Sequence, residues 1–324
     1  MLKDVTNKAA LALIGATVLG PALQRICAQK HSCSTVRSEM LVSTAWLEQH
    51  LNDRDLVVLY VGRDRGQFDS GHIPGSRFVR LDELVEQHKN SLNELPPVAD
   101  LQATFESLGV GDQSRVVLAG DAGGVLAARA YFTLDYLGHG DQASLLDGGL
   151  ERWIAESRKT SRSEIRPARA HITPHVQPEI LVSTAQMREL NLGVKQGVAD
   201  YVLLDARPVA EYTGMVHSEA VPEAGHIAGA QSLYWKKLIR SDANPQLLDA
   251  EQLQQQFARA GAGPGKSVIT YCRTGMQSSF TYFVAKYLGY PAAMYDGSVY
   301  EWVHAADNEL VTSPVPEPAT TDHQ

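Results

Sequence analysis

The sequence predicts an α/β protein of two tandem domains, each a parallel β-sheet flanked by helices on both faces. Three observations carry this. The pentapeptide LVSTA at Leu41–Ala45 returns at Leu181–Ala185. Short, nearly continuous apolar runs alternate with amphipathic stretches, as buried parallel strands and their covering helices do. The motifs that follow the first LVSTA also recur, in the same order, after the second.

In order, each LVSTA precedes an apolar run, LVVLYVGR from Leu56 and YVLLDAR from Tyr201, and then a Gly-His-Ile segment, GHIPGS at Gly71 and GHIAGA at Gly225. DLQATFESLGVG from Asp100 matches EQLQQQFARAGAG from Glu251. Both space apolar residues at i and i+4, such as Leu253 and Phe257, and both end in glycine, so both are expected to be amphipathic helices. RVVLAGDAGGVLAARAYFTLDYLGH then parallels SVITYCRTGMQSSFTYFVAKYLGY, and DGGLERW parallels DGSVYEW. Between the copies, SRKTSRSEIRPARAHITPHVQPE is basic, polar and proline-bearing, as an interdomain linker is. The expected division is 1–38 leader, 39–157 first domain, 158–178 linker, 179–312 second domain and 313–324 a Pro-rich, disordered tail.

At 324 residues and 44 % hydrophobic, the chain is long enough for two cores. A formal net charge of −8 argues against a nucleic-acid binder, which needs a basic face for phosphate. Three cysteines, Cys27, Cys33 and Cys272, are too few for a disulfide framework. The N-terminus carries Lys3 and Lys8 before an apolar stretch from Ala9 to Leu23, which resembles a secretory signal peptide and implies export, as to a periplasm. Asp4 and the lack of a clean cleavage site leave a surface-docked helix and a cytoplasmic protein as the alternative. Gly15, Gly20 and Pro21 interrupt the stretch, so no stable membrane span is expected.

The chemistry concentrates at VITYCRTGMQSSFTYFVAKYLGY, residues 268 to 290. Val268–Tyr271 reads as a strand, and Met276 to Leu288 as a helix that Gly289 stops. Cys272 thus opens a strand-to-helix turn. The first N–H groups of a helix have no intrahelical acceptors and can converge on one anionic atom, and Gly275 lets the backbone curl to do so. Arg273 adds a positive charge beside the thiol, an arrangement expected to favour the thiolate. The bland alternative is a small buried hydrophobic side chain.

These motifs together resemble the tandem-domain rhodaneses, the thiosulfate and 3-mercaptopyruvate sulfurtransferases. The resemblance spans roughly residues 40 to 312 and rests on DARPVAEY from Asp205, GHIAGA from Gly225, CRTGMQS from Cys272 and DGSVYEW from Asp296. It implies that Cys272 takes sulfane sulfur from a donor as a persulfide and passes it to cyanide or another thiophile, without metal or organic cofactor. It implies a donor-binding loop of Arg273, Thr274, Gly275, Met276, Gln277 and Ser278. It also implies an Arg207 that faces the donor's anionic end, with Asp205 supporting the loop. A structural ion pair at a strand end remains open for both Arg207 and Asp205.

His72 and His226 occur in both copies although only one copy has a cysteine, so a structural role is expected for them, and packing for Trp153 and Trp302. Taking Leu137 and Leu288 as equivalent gives an offset of 151 residues, 288 less 137, which sets Asp121 opposite Cys272. A carboxylate cannot carry a persulfide, so the first domain is expected to be catalytically silent and to wall the active cleft. Cysteine phosphatases of similar architecture need an arginine six residues after the nucleophile; that position is Ser278. Arg273 resembles thiosulfate-using members, while Thr274 stands where they often carry lysine, so 3-mercaptopyruvate is the runner-up donor. A persulfide carrier that hands sulfur to a partner protein is the non-enzymatic alternative.

Overall fold

The computed structural model describes residues 35–313, residue 198 excepted. The leader, Cys27, Cys33 and the tail beyond residue 313 lie outside the described residues. Among those described, no helix is long and apolar enough to cross a membrane.

Two five-stranded parallel sheets share one topology. In the first the spatial order is Leu41–Val42, Ala143–Leu146, Arg115–Gly120, Leu56–Gly62, Arg77–Arg80. In the second it is Leu181–Val182, Ala292–Tyr295, Ser267–Tyr271, Tyr201–Asp205, Gln231–Ser232. The repeated LVSTA has a direct physical reading. Its Leu-Val pair is the edge strand, its serine is the helix N-cap, and its threonine begins the helix: Ser43 Oγ accepts from Trp46 N at 3.1 Å and Ser183 Oγ from Gln186 N at 3.3 Å.

The central strands are buried on both faces, which is why they read as unbroken apolar runs rather than alternating ones. The two helices that follow the central strands, Val125–Tyr136 and Met276–Tyr287, are buried along most of their length because they pack on each other between the domains. Tyr131 meets Phe283 edge-on at 4.9 Å, Phe132 meets Tyr282 at 5.1 Å, and the Tyr282 hydroxyl donates to Asp135 at 2.6 Å. One hydrophobic cluster therefore runs from Met40 of the first domain to Met294 of the second. The two domains form one body around this seam.

The segment between the domains is irregular, and it is strapped to the first domain. Ile172 is fully buried, Arg169 and His171 both reach Glu106, and His175 N and Gln177 N donate to the carbonyls of Leu137 and Tyr136 at 2.8 Å each. Those carbonyls sit at a helix C-terminus, where they lack intrahelical donors.

Candidate active site

Parallel pairing sets Asp205 beside Tyr271 at the carboxyl ends of two central strands, and Cys272 is the next residue. That end of an open parallel sheet is where crevices form. Gly275, at φ 82°, turns the chain into the helix; a Cβ there would collide with Asp296, so only glycine fits. Cys272 itself is 1 % exposed. Ser278 Oγ lies 3.5 Å from its sulfur and 3.0 Å from Gly275 O. A fully buried serine thus occupies the position at which a phosphatase would need its guanidinium.

Ser298 is a site residue that sequence reasoning missed. Its hydroxyl accepts from both Cys272 N and Gly275 N at 3.1 Å and donates to Tyr295 O at 2.9 Å, so one side chain ties the two ends of the loop together. It does so from a left-handed backbone at φ 55°, a conformation that costs a non-glycine residue roughly 1–2 kcal/mol. The first copy has Gly149 at the matching place in its DGG motif, at φ 61°, with no side chain to spend the strain on. The serine in DGS against the glycine in DGG was the available signal. Ser298→Gly should change folding stability by only about 1 kcal/mol, because relief of strain offsets the lost hydrogen bonds. Its kcat/KM for sulfur transfer should fall roughly tenfold. Unchanged turnover in that variant would reduce Ser298 to a scaffold residue.

The expectation that Arg207 faces a donor meets a different geometry. Arg207 is 2 % exposed, and its Nε and one Nη bind the two Asp205 oxygens at 2.6–3.1 Å while the same Nη reaches Gly225 O at 2.7 Å. Burial works against its charge, but Asp205 outweighs burial and its pKa is raised. The structural ion pair is what the fold builds, since a fully buried Asp205 requires a buried cation. Asp205 also accepts from Arg207 N at 2.9 Å, which fixes the turn after the strand. Arg273, by contrast, is about one-third exposed at the loop, with Glu211 bound to its Nη2 and, at 3.3 Å, to its Nε. Thr274 and Gln277 are half-buried and Met276 is buried.

The first domain reaches into this loop. Asn93, on the short hairpin of Glu86–Gln87 and Leu92–Glu94, donates to Thr274 Oγ1 at 3.0 Å and Thr274 O at 3.2 Å. Arg129 donates to Asn93 O at 2.5 Å and forms a two-pronged, fully buried ion pair with Asp296, the residue against which Gly275 packs. Glu94 sits half-buried in the same seam, with Oε1 lacking a hydrogen-bond partner among the described residues. Burial, followed by the nearby Asp296 and Glu301, pushes its pKa up to about 8 despite Arg129. The folded protein therefore holds a proton on Glu94 that the unfolded chain has already released, and stability falls as pH rises from about 4.5 to about 8. Glu94→Gln should remove that loss: urea denaturation at pH 5 and pH 8 should differ less in the variant than in the wild type. An unchanged difference would place the pH sensitivity elsewhere.

The equivalent loop of the first domain has lost this shape. The offset of 151 aligns the two loop helices end to end, Val125–Tyr136 with Met276–Tyr287. Yet Ala122, Gly123 and Gly124 all have positive φ, whereas Gly275 alone does so in the second loop. Asp121 takes a hydrogen bond from the Tyr60 hydroxyl. The paired histidines are structural in both copies. His72 Nδ1 meets Phe68 O at 2.9 Å and its ring stacks on Phe68 at 3.9 Å, while His226 Nδ1 meets Tyr212 O at 2.8 Å and stacks on Tyr212 at 3.8 Å. Burial lowers the pKa of His226, which keeps the ring neutral near pH 7. Trp153 and Trp302 are buried, each donating its indole N–H to a downstream carbonyl, of Lys159 and Glu309.

Comparison with known proteins gives these features a family context. The family model described as Rhodanese-like domain matches twice, over residues 43–156 and 188–305. A sulfur carrier protein of Thermus thermophilus, TtuD, is 33 % identical over 273 residues, 82 % of this chain and 93 % of that protein. A thiosulfate sulfurtransferase of Pseudomonas aeruginosa is 34 % identical over 247 residues, 75 % of this chain and 87 % of that one. Among solved structures, SseA from Escherichia coli, a 3-mercaptopyruvate sulfotransferase, superposes with a TM-score of 0.69 at 22 % identity, covering 80 % of this chain and 98 % of its own.

Proposed function

Because the chain belongs to the rhodanese family of sulfurtransferases, we propose that it moves sulfane sulfur from thiosulfate to a thiophilic acceptor through a persulfide on Cys272. The observation that carries this reading is the placement of Cys272 at the head of a buried helix, on a loop that both domains hold. In the first step the Cys272 thiolate attacks the outer sulfur of thiosulfate. A new S–S bond forms, the donor's S–S bond breaks, and sulfite leaves with the bonding pair. In the second step cyanide attacks the outer persulfide sulfur, thiocyanate departs, and the thiolate is restored. Charge and atoms balance in both steps, and no metal or organic cofactor enters.

Each residue of the site has a part in this reading. Met276, Gln277 and Ser278 form the first turn of the helix, whose N–H groups have no intrahelical acceptors, and in this reading they stabilise the developing negative charge. Arg273 is the rim cation for the donor's sulfonate end, and Asp205 with Arg207 stiffens the neighbouring turn. Thr274, held by Asn93, fixes the rim against the first domain.

3-Mercaptopyruvate is the alternative donor. A second reading, a persulfide carrier for a partner protein, is favoured by the sulfur-carrier relative. Steady-state transfer to cyanide, with kcat/KM for thiosulfate and 3-mercaptopyruvate compared side by side, separates these. Many turnovers with thiosulfate preferred support the enzyme. A single persulfide per chain without turnover supports the carrier. The basic, then apolar N-terminal stretch supports export to a periplasm.

A further inference from the structure

Beside the catalytic loop stand two guanidinium groups, Arg207 and Arg273, and two carboxylates, Asp205 and Glu211, and their pairing leaves no net charge. Asp205 is spent on Arg207. Glu211, only 7 % exposed, lies one helical turn from Arg207, with an oxygen 3.9 Å from its Nη1, and grips Arg273 with both carboxylate oxygens. Arg273 is thus the one cation of the catalytic loop, and its charge is paired with Glu211.

Resting on the sulfur-transfer reading, we propose that Glu211 is a specificity-determining positioning residue whose grip on Arg273 competes with the donor's sulfonate for that rim cation and so weakens the advantage of dianionic donors over monoanionic ones. A sulfonate that needs Arg273 must displace or share a charge-assisted, bidentate carboxylate, the strongest common partner of a guanidinium. A second negative charge on a donor held by Arg273 is also repelled by the Glu211 carboxylate on that same guanidinium, whose buried setting screens it poorly. A donor with one negative charge suffers less on both counts. Glu211 touches no reacting atom; it acts through Arg273.

The test uses the full chain with cyanide as acceptor, thiosulfate as the dianionic donor and 3-mercaptopyruvate as the monoanionic one. Glu211→Gln keeps the shape of the side chain and removes its charge. It is expected to raise the ratio of kcat/KM for thiosulfate over 3-mercaptopyruvate about fivefold to tenfold, with the gain in thiosulfate KM and kcat within about twofold. Glu211→Asp, which keeps the charge, should hold the ratio near the wild-type value. The double variant Arg273→Met with Glu211→Gln should lose the gain, because the freed charge is then absent. An unchanged ratio in Glu211→Gln, or a gain that survives without Arg273, would overturn the proposal while persulfide formation on Cys272 left the sulfur-transfer reading intact. Absence of that persulfide from either donor in every variant and in the wild type would overturn both.

Discussion

Cys272→Ser abolishes sulfur transfer, lowering kcat/KM by about four orders of magnitude or more, while the protein keeps its fold. Serine fits the site because the loop is shaped by its backbone: Cys272 N and Gly275 N are held by Ser298, and Val299 N and Tyr300 N donate back to the carbonyls of Cys272 and Arg273. None of these bonds uses the sulfur. The hydroxyl replaces a thiol that touches Ser278 Oγ, a polar neighbour, so its burial costs about 1 kcal/mol or less. What is lost is chemistry, since an alkoxide neither forms at neutral pH nor holds a sulfane sulfur. Cyanide-coupled turnover and denaturant melts of the same preparation read the two effects separately. Appreciable residual transfer by the serine variant would remove Cys272 from the mechanism.

Arg129→Met destabilises the folded protein by about 3–5 kcal/mol, the cost typical of removing one partner from a buried ion pair. Arg129 and Asp296 are both essentially inaccessible to water, and Glu94 and Glu301 lie in the same seam, so the variant strands a cluster of carboxyl groups. The Asn93 carbonyl also loses its donor, and with it the hairpin that holds Thr274 loses its anchor. Replacing both partners, as in Arg129→Met with Asp296→Leu, should recover part of the stability because no uncompensated charge remains. Urea denaturation of the single and double variants measures this. A single variant as stable as the wild type would mean the seam is wet enough to solvate Asp296.

Much of this architecture was legible in the chain because it is written twice. LVSTA encodes an edge strand, an N-cap and a helix start within five residues, and the short apolar runs alternating with amphipathic stretches pointed to strands buried on both faces. The offset of 151 residues predicted the alignment of Asp121 with Cys272, and the two loop helices follow it. The duplicated histidines, each stacked on an aromatic ring, have the structural role their duplication suggested. The rest depended on residues far apart in sequence. Asn93 belongs to a hairpin with no counterpart among the repeated motifs, and Arg129 matches Phe280 under the offset, so neither shows in the repeat. For Arg207 the sequence left both a donor contact and a structural ion pair open, because sequence does not display burial; the fold adds the ion pair with Asp205 two residues earlier. Glu211 and Arg273 lie 62 residues apart, and only the fold shows that one neutralises the other.

The most direct measurement of the central claim is peptide-level mass spectrometry of the protein after brief exposure to thiosulfate. The expected result is an adduct of about 32 Da on the peptide containing Cys272, which cyanide discharges with one thiocyanate released per adduct. No adduct on that peptide, or one that cyanide leaves in place, would contradict a persulfide on Cys272 as the intermediate of the reaction.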